Sequence, residues 1–193
     1  MRIGQTSFIV FASKLVGSAL GFVATLYFAR TLGAAVLGQY ALVLALVAWL
    51  SLAGNLGISS AVTKRMSEGS EPSAYASAGA ITVAAFGVVL SGLVVVFRAP
   101  VNAYIGRPVA PLLVALLLIG LFGGIVTAAL NGERKVHVVG LLSPAGIAVR
   151  SLVQIGLVAV GLGLVGMLAG YAVATLLVGV AGLALLSVSV VRP

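Results

Sequence analysis

Cysteine is absent from the 193 residues, and acids nearly so: Glu68, Glu71 and Glu133 are the only carboxylates, and His137 is the only histidine. Without thiols there is no disulfide framework, thiolate nucleophile or thiolate metal site. Three glutamates and one histidine, all in loops or at a span boundary, supply no metal-ligating cluster and no paired acid and base. No glycine loop is followed by the Lys and Ser/Thr that a phosphate cradle requires. Neither an enzyme nor a cofactor or metal is expected. Charge of either sign is scarce at 7% of residues, whereas 62% are hydrophobic and the mean hydropathy is +1.28. So little polar surface excludes a soluble globule and implies an integral membrane protein.

What is abundant is apolar sequence in runs of roughly twenty residues, the length a helix needs to cross a hydrocarbon core of about 30 Å. The polar–apolar alternation of a barrel strand does not occur. Six spans are expected, Ser7–Phe28, Leu37–Ile58, Tyr75–Phe97, Val109–Leu130, Val138–Gly161 and Val165–Val190, as one all-α lobe over residues 1–193. The last two are divided at Gly161, Gly163 and Gly166. The first is expected to stay in place, since no small-residue cleavage site precedes the turn that follows it.

On this layout Arg2, Lys64, Arg65, Arg134, Lys135 and Arg192 fall on one side, Arg30, Arg98 and Arg107 on the other, and Lys14 and Arg150 within the membrane. The richer side is cytoplasmic by the positive-inside rule, giving N-in and C-in. The formal charge of +8 is thus spread over membrane-flanking loops and forms no basic stripe for nucleic acid. The loop Ser59–Ala74 reads as a cytoplasmic connector with a short interfacial helix. Arg98–Pro111, with three of the six prolines, reads as irregular, with Tyr104 at headgroup level.

No expected span contains an acid, whereas proton- and sodium-coupled transporters generally hold acids within the bilayer. The embedded charges are positive. Arg150 stands near the middle of the fifth span, where an arginine costs at least about 2.5 kcal/mol unless it faces a wet cavity or a partner. Ser143, Ile147, Arg150 and Gln154 share its helical face, with Pro144 able to loosen the helix. The competing reading is an arginine tied to the carbonyls of a neighbouring helix. Lys14, followed on one face by Ser18, Gly21 and Thr25, either lines a path or snorkels to the headgroups. Arg30 is a ligand or an interfacial residue favoured by the helix dipole. Asn55 lines the path or bonds helix to helix, and Gly17-x-x-x-Gly21 marks close helix approach.

The hairpin Ala29-Arg30-Thr31-Leu32-Gly33 through Gly38-Gln39-Tyr40, with Asn55-Leu56-Gly57-Ile58 and Lys64-Arg65 after it, resembles the N-terminal signature of polysaccharide-export flippases. These belong to the multidrug/oligosaccharidyl-lipid/polysaccharide exporter superfamily. The resemblance implies a MATE-like pair of six-helix lobes in the cell membrane, moving a lipid-diphosphate-linked oligosaccharide by alternating access. This chain, ending just after its sixth span, would supply the first lobe and need a second copy or polypeptide to enclose a cavity. Arg150, Lys14, Gln154, Asn55 and Arg30 are the candidate substrate contacts. Half of a cation-coupled drug antiporter and a non-transporting membrane scaffold are the alternatives; the first should carry an embedded acid, and the second would use Lys14 and Arg150 only to hold helices together.

Overall fold

A computed structural model describes residues 3–69 and 71–187. Among them all regular structure is helical, as expected of backbone that must satisfy its own hydrogen bonds within hydrocarbon. The elements are α1 (Ile3–Asn55), α2 (Ile58–Glu68), α3 (Pro72–Val96), α4 (Arg98–Ile105), α5 (Ala110–Gly132), α6 (Val136–Ala159) and α7 (Gly163–Ala184). Five of these are long and apolar enough to cross a membrane. Large apolar side chains such as Phe22, Trp49, Ile81 and Val88 lie well exposed around the bundle, the surface that lipid covers. The protein is an all-α, multi-pass membrane protein.

Helix α1 is two arms rather than one rod. Its 53 residues are interrupted only at Gly33, whose φ of 80° and ψ of 169° leave the helical region. Gly21, Ala24, Thr25 and Phe28 before the break and Leu37, Tyr40, Ala41 and Leu44 after it line a common cavity, so the arms fold back on each other. Of the two glycines expected to reverse the chain, Gly33 does so, and Gly38 continues the second arm as helix.

The remaining helix ends fall within a few residues of the expected spans. The last helix stops at Ala184, short of the expected end of its span, because the chain turns at Leu185; Val190 itself lies outside the described residues, as do Arg2 and Arg192. The connector after α1 contains α2, whose Val62 and Met66 are buried while Lys64 and Arg65 are exposed, the amphipathic interfacial helix that the sequence predicts. The loop expected to be irregular is instead partly helical. Pro100 sits in the first turn of α4, where a missing N–H removes no helical hydrogen bond, and Ile105 anchors the other end in the core. The Asn102 side chain then accepts from the backbone N–H groups of Val109 and Ala110, at 2.9 and 3.0 Å, and so caps the start of α5.

Helix α5 is the axis of the bundle. Leu113, Leu116 and its N-terminal half pack with Val43 and Val47 of α1 and with Leu164 and Leu168 of α7. The stretch from Leu117 onward, including Leu121 and Ile125, packs with Val62 and Met66 of α2 and with Ala76 and Val83 of α3. Thr63 donates to the Ala128 carbonyl at 3.0 Å, which fixes α2 at the same end of the bundle as the turn between α5 and α6. Lys64, Arg65, Arg134 and Lys135 therefore gather at that end. Arg98 and Arg107 flank α4, which abuts Gln39 near the Gly33 turn and so belongs to the opposite end with Arg30. At the first end Lys135 pairs with Glu133 at 2.7 Å and donates to the Leu185 carbonyl at 2.7 Å, tying the α5–α6 turn to the end of α7.

Helices α6 and α7 run antiparallel with their backbones close together. A Cβ on Gly170 would lie 2.6 Å from Gln154 Cγ and 3.0 Å from its backbone N and Cα. Gly170→Ala is therefore expected to destabilise the bundle by about 1–3 kcal/mol, the usual cost of overpacking. The loss should appear as a lower thermal midpoint in detergent. Gly92→Ala, in the helical interior of α3 where a Cβ meets nothing within 4 Å, should leave the midpoint unchanged or raise it slightly; equal effects of the two substitutions would contradict the close approach.

Candidate functional site

The site is assembled where the Gly33 hairpin meets α6 and α7. Gly17 and Gly21 of the first arm lie against α6: a Cβ on Gly17 would stand 3.4 Å from the Pro144 carbonyl, and one on Gly21 3.8 Å from Ile147. The glycine pair thus does what its spacing predicts, letting the first arm approach α6. Pro144 is buried in this contact, and α6 continues through it. Ala24 and Phe28 complete the seam with Val158 and Met167.

Between these helices lies a cavity of about 290 Å³, lined by both arms of α1 and by Arg150, Ser151, Gln154 and Met167. This is at the lower limit of the roughly 300–1,000 Å³ of small-molecule sites, room for a headgroup rather than an oligosaccharide. Arg150 is only partly buried there. Its guanidinium stacks over the Tyr171 ring at 5.2 Å from the centroid, and among the described residues it has no carboxylate partner and no carbonyl acceptor. A cation–π contact of this kind contributes about 0.5–2 kcal/mol and offers the guanidinium no lone-pair acceptor.

Gln154, one turn on, is only 4% exposed and is held from two sides. Its Nε2 donates to the Met167 carbonyl at 2.7 Å and to the Tyr40 hydroxyl at 2.9 Å. Both amide hydrogens are committed within the bundle, so its role in this geometry is to bind α6 to α7 and to the second arm of α1. Tyr171 also lines a second cavity of about 450 Å³, mostly apolar, between α5, α6 and α7, with Ser143, Thr127 and Thr175 on its wall.

The other candidates are dispersed. Lys14 is exposed on the first arm and does not line the cavity, although Gly21 and Thr25 of the same helical face do. Arg30 is exposed three residues before the Gly33 break. Asn55 ends α1, and its Oδ1 accepts from the Ser59 N–H at 2.9 Å, joining α1 to α2 away from Arg150. The structure thus brings together Arg150 and Gln154, and it adds Tyr40, Ser151 and Tyr171, which the sequence reading did not place at the site. Tyr171 had a legible signal: Arg150 and Tyr171, like Gln154 and Met167, lie equally far on either side of the α6–α7 turn.

The chain matches the family described as polysaccharide biosynthesis protein over residues 3–192. It is 30% identical over 138 residues to a probable low-salt glycan biosynthesis flippase, Agl15, of Haloferax volcanii, covering 70% of this chain and 29% of that protein. It is 26% identical over 196 residues to a probable flippase of the same organism, AglR, covering 100% of this chain and 40% of the relative. The chain thus spans less than half the length of these curated relatives. No solved structure matches it.

Proposed function

Because the chain belongs to the polysaccharide biosynthesis protein family, we propose that it is a six-crossing lobe of a flippase that carries a lipid-diphosphate-linked oligosaccharide across the cell membrane by alternating access. The two arms of α1 provide two crossings and α3, α5, α6 and α7 the other four. The end bearing Lys64, Arg65, Arg134 and Lys135 faces the cytoplasm, as the positive-inside rule requires. A second lobe, whether from this protein, another copy or another polypeptide, closes the cavity from the opposite side.

One observation carries this reading: Arg150, midway along an expected crossing, lines a cavity and has neither a carboxylate partner nor a carbonyl acceptor among the described residues. Such a group is costly to embed unless it faces water or a partner, and among anionic partners a diphosphate provides the bidentate acceptors that arginine fits best. Lys14 lies further along the face that reaches the cavity through Gly21 and Thr25, placed to meet the anion on its way in. The helices lack the embedded carboxylate on which cation-coupled drug exporters generally rely, which disfavours that alternative. Transport in this reading needs no covalent step and no cofactor.

Deleting the gene is the direct test. Lipid-linked glycan should accumulate in the cytoplasmic leaflet while surface glycan falls, and re-expression should reverse both. Unchanged surface glycan and leaflet distribution in the deletion strain would rule the flippase reading out.

A further inference from the structure

We propose that the Tyr40 hydroxyl is a second phosphoryl ligand of the cavity, donating its hydrogen to the same anion that Arg150 binds, with Gln154 fixing the phenol oxygen in position. The inference rests on the anion-binding reading of Arg150 and names a contact beyond it.

The Met167 carbonyl can only accept, so the Gln154 atom 2.7 Å away must be the amide nitrogen. That nitrogen has two hydrogens, and the second goes to Tyr40 Oη at 2.9 Å. An amide nitrogen cannot accept, so the phenol oxygen is the acceptor of this bond and its own hydrogen is left to give away. Among the described residues no acceptor receives it. Tyr40 lines the same cavity as Arg150 and Ser151, and its ring is wedged between two apolar clusters, one with Val43 and Leu168 and one with Phe28 and Met167. The oxygen is thus held at both ends, by packing on the ring and by Gln154 on the hydroxyl.

A guanidinium and a phenol O–H converging on one space are all donors, and they call for a ligand that only accepts. A planar carboxylate bound by the arginine fork keeps its remaining lone pairs in the plane of that fork. A tetrahedral phosphoryl group presents a further oxygen out of that plane, which a donor from the second arm of α1 can meet. The same chemistry occurs on a lipid-linked diphosphate and on an anionic phospholipid headgroup.

The test uses the full chain in nanodiscs of zwitterionic lipid, titrated with inorganic pyrophosphate and, in parallel, with acetate as a planar carboxylate probe. Tyr40→Phe keeps the ring and removes the hydroxyl. We expect pyrophosphate to bind about tenfold more weakly to this variant, as for loss of a hydrogen bond to a charged group, while acetate binding stays unchanged; the thermal midpoint falls modestly, because the buried Gln154 amide N–H loses its acceptor. Equal weakening of both probes would mark Tyr40 as merely structural and overturn the inference, as would unaltered pyrophosphate binding. If the unsubstituted chain binds no pyrophosphate, the Arg150 reading itself falls. Displacement of pyrophosphate by a polyprenyl diphosphate but not by phosphatidylglycerol supports the lipid-linked substrate. The reverse keeps the Tyr40–phosphoryl contact but overturns the diphosphate assignment in favour of a bilayer headgroup.

Discussion

Arg150→Glu is expected to abolish glycan export while leaving the protein at its normal level in the membrane. The guanidinium in the cavity wall stacks on Tyr171 at 5.2 Å and has no acid beside it among the described residues, so its charge is uncompensated by the bundle itself. Each hydrogen bond to a charged group contributes about 1.5–3 kcal/mol, so removing the donors with Arg150→Gln should weaken anion binding by about tenfold or more. Glutamate adds like-charge repulsion to that loss. Arg150→Lys separates charge from geometry: it retains the cation but loses the planar fork, and should fall between wild type and the glutamine variant. Arg150→Gln costs the bundle only the ring contact, about 0.5–2 kcal/mol, too little to unfold a helical membrane protein on its own, and lysine keeps a cation beside the ring. Export at wild-type rates with glutamate at this position would end the anion-binding reading. Disappearance of the protein in all three variants would favour a purely structural arginine.

The class of the protein was legible because hydrocarbon imposes so much: apolar runs of fixed length leave helices as the one economical structure, and the spans could be placed to within a few residues. Helix α4 is hidden in the sequence because proline reads as a helix breaker, whereas Pro100 at a first helical turn breaks nothing. Arg150 was legible from its central position in an acid-free membrane segment. Tyr40 was not, because it comes from a helix 114 residues earlier, and its seat beside Gln154 depends on how deeply the first arm settles against α6. Composition cannot give that depth; it is set by Gly17 against Pro144 and Gly21 against Ile147. The same registration separates the two embedded cations that the sequence grouped together. With Gly21 and Thr25 at the cavity, Lys14 stands about two turns away along the arm, near 10 Å by helical rise.

Gly33→Ala should be the most damaging of the small substitutions. With φ of 80° and ψ of 169°, Gly33 occupies a region of backbone space that is essentially closed to residues with a Cβ, and holding alanine there costs on the order of 1–3 kcal/mol. The strain has an obvious escape, because the residues on both sides are already helical and alanine is the best helix former. Relaxing toward helix opens the hairpin, and a straight α1 of 53 residues would run to about 80 Å, far beyond a hydrocarbon core of roughly 30 Å. Opening also withdraws Tyr40, Ala41 and Leu44 from the cavity that the first arm shares with α6, and it breaks the Tyr40–Gln154 hydrogen bond. The expected result is a lower thermal midpoint, faster proteolysis near the turn and loss of export, all from one methyl group. Gly38→Ala is the matched control: that glycine is helical and exposed, and a Cβ there meets nothing within 4 Å. It should be neutral or stabilising by about 0.5–1 kcal/mol. The contrast isolates backbone conformation as the cause, since both sites have space for the methyl and only one has a dihedral angle that forbids it; indistinguishable behaviour of the two variants would mean that the chain does not reverse at Gly33.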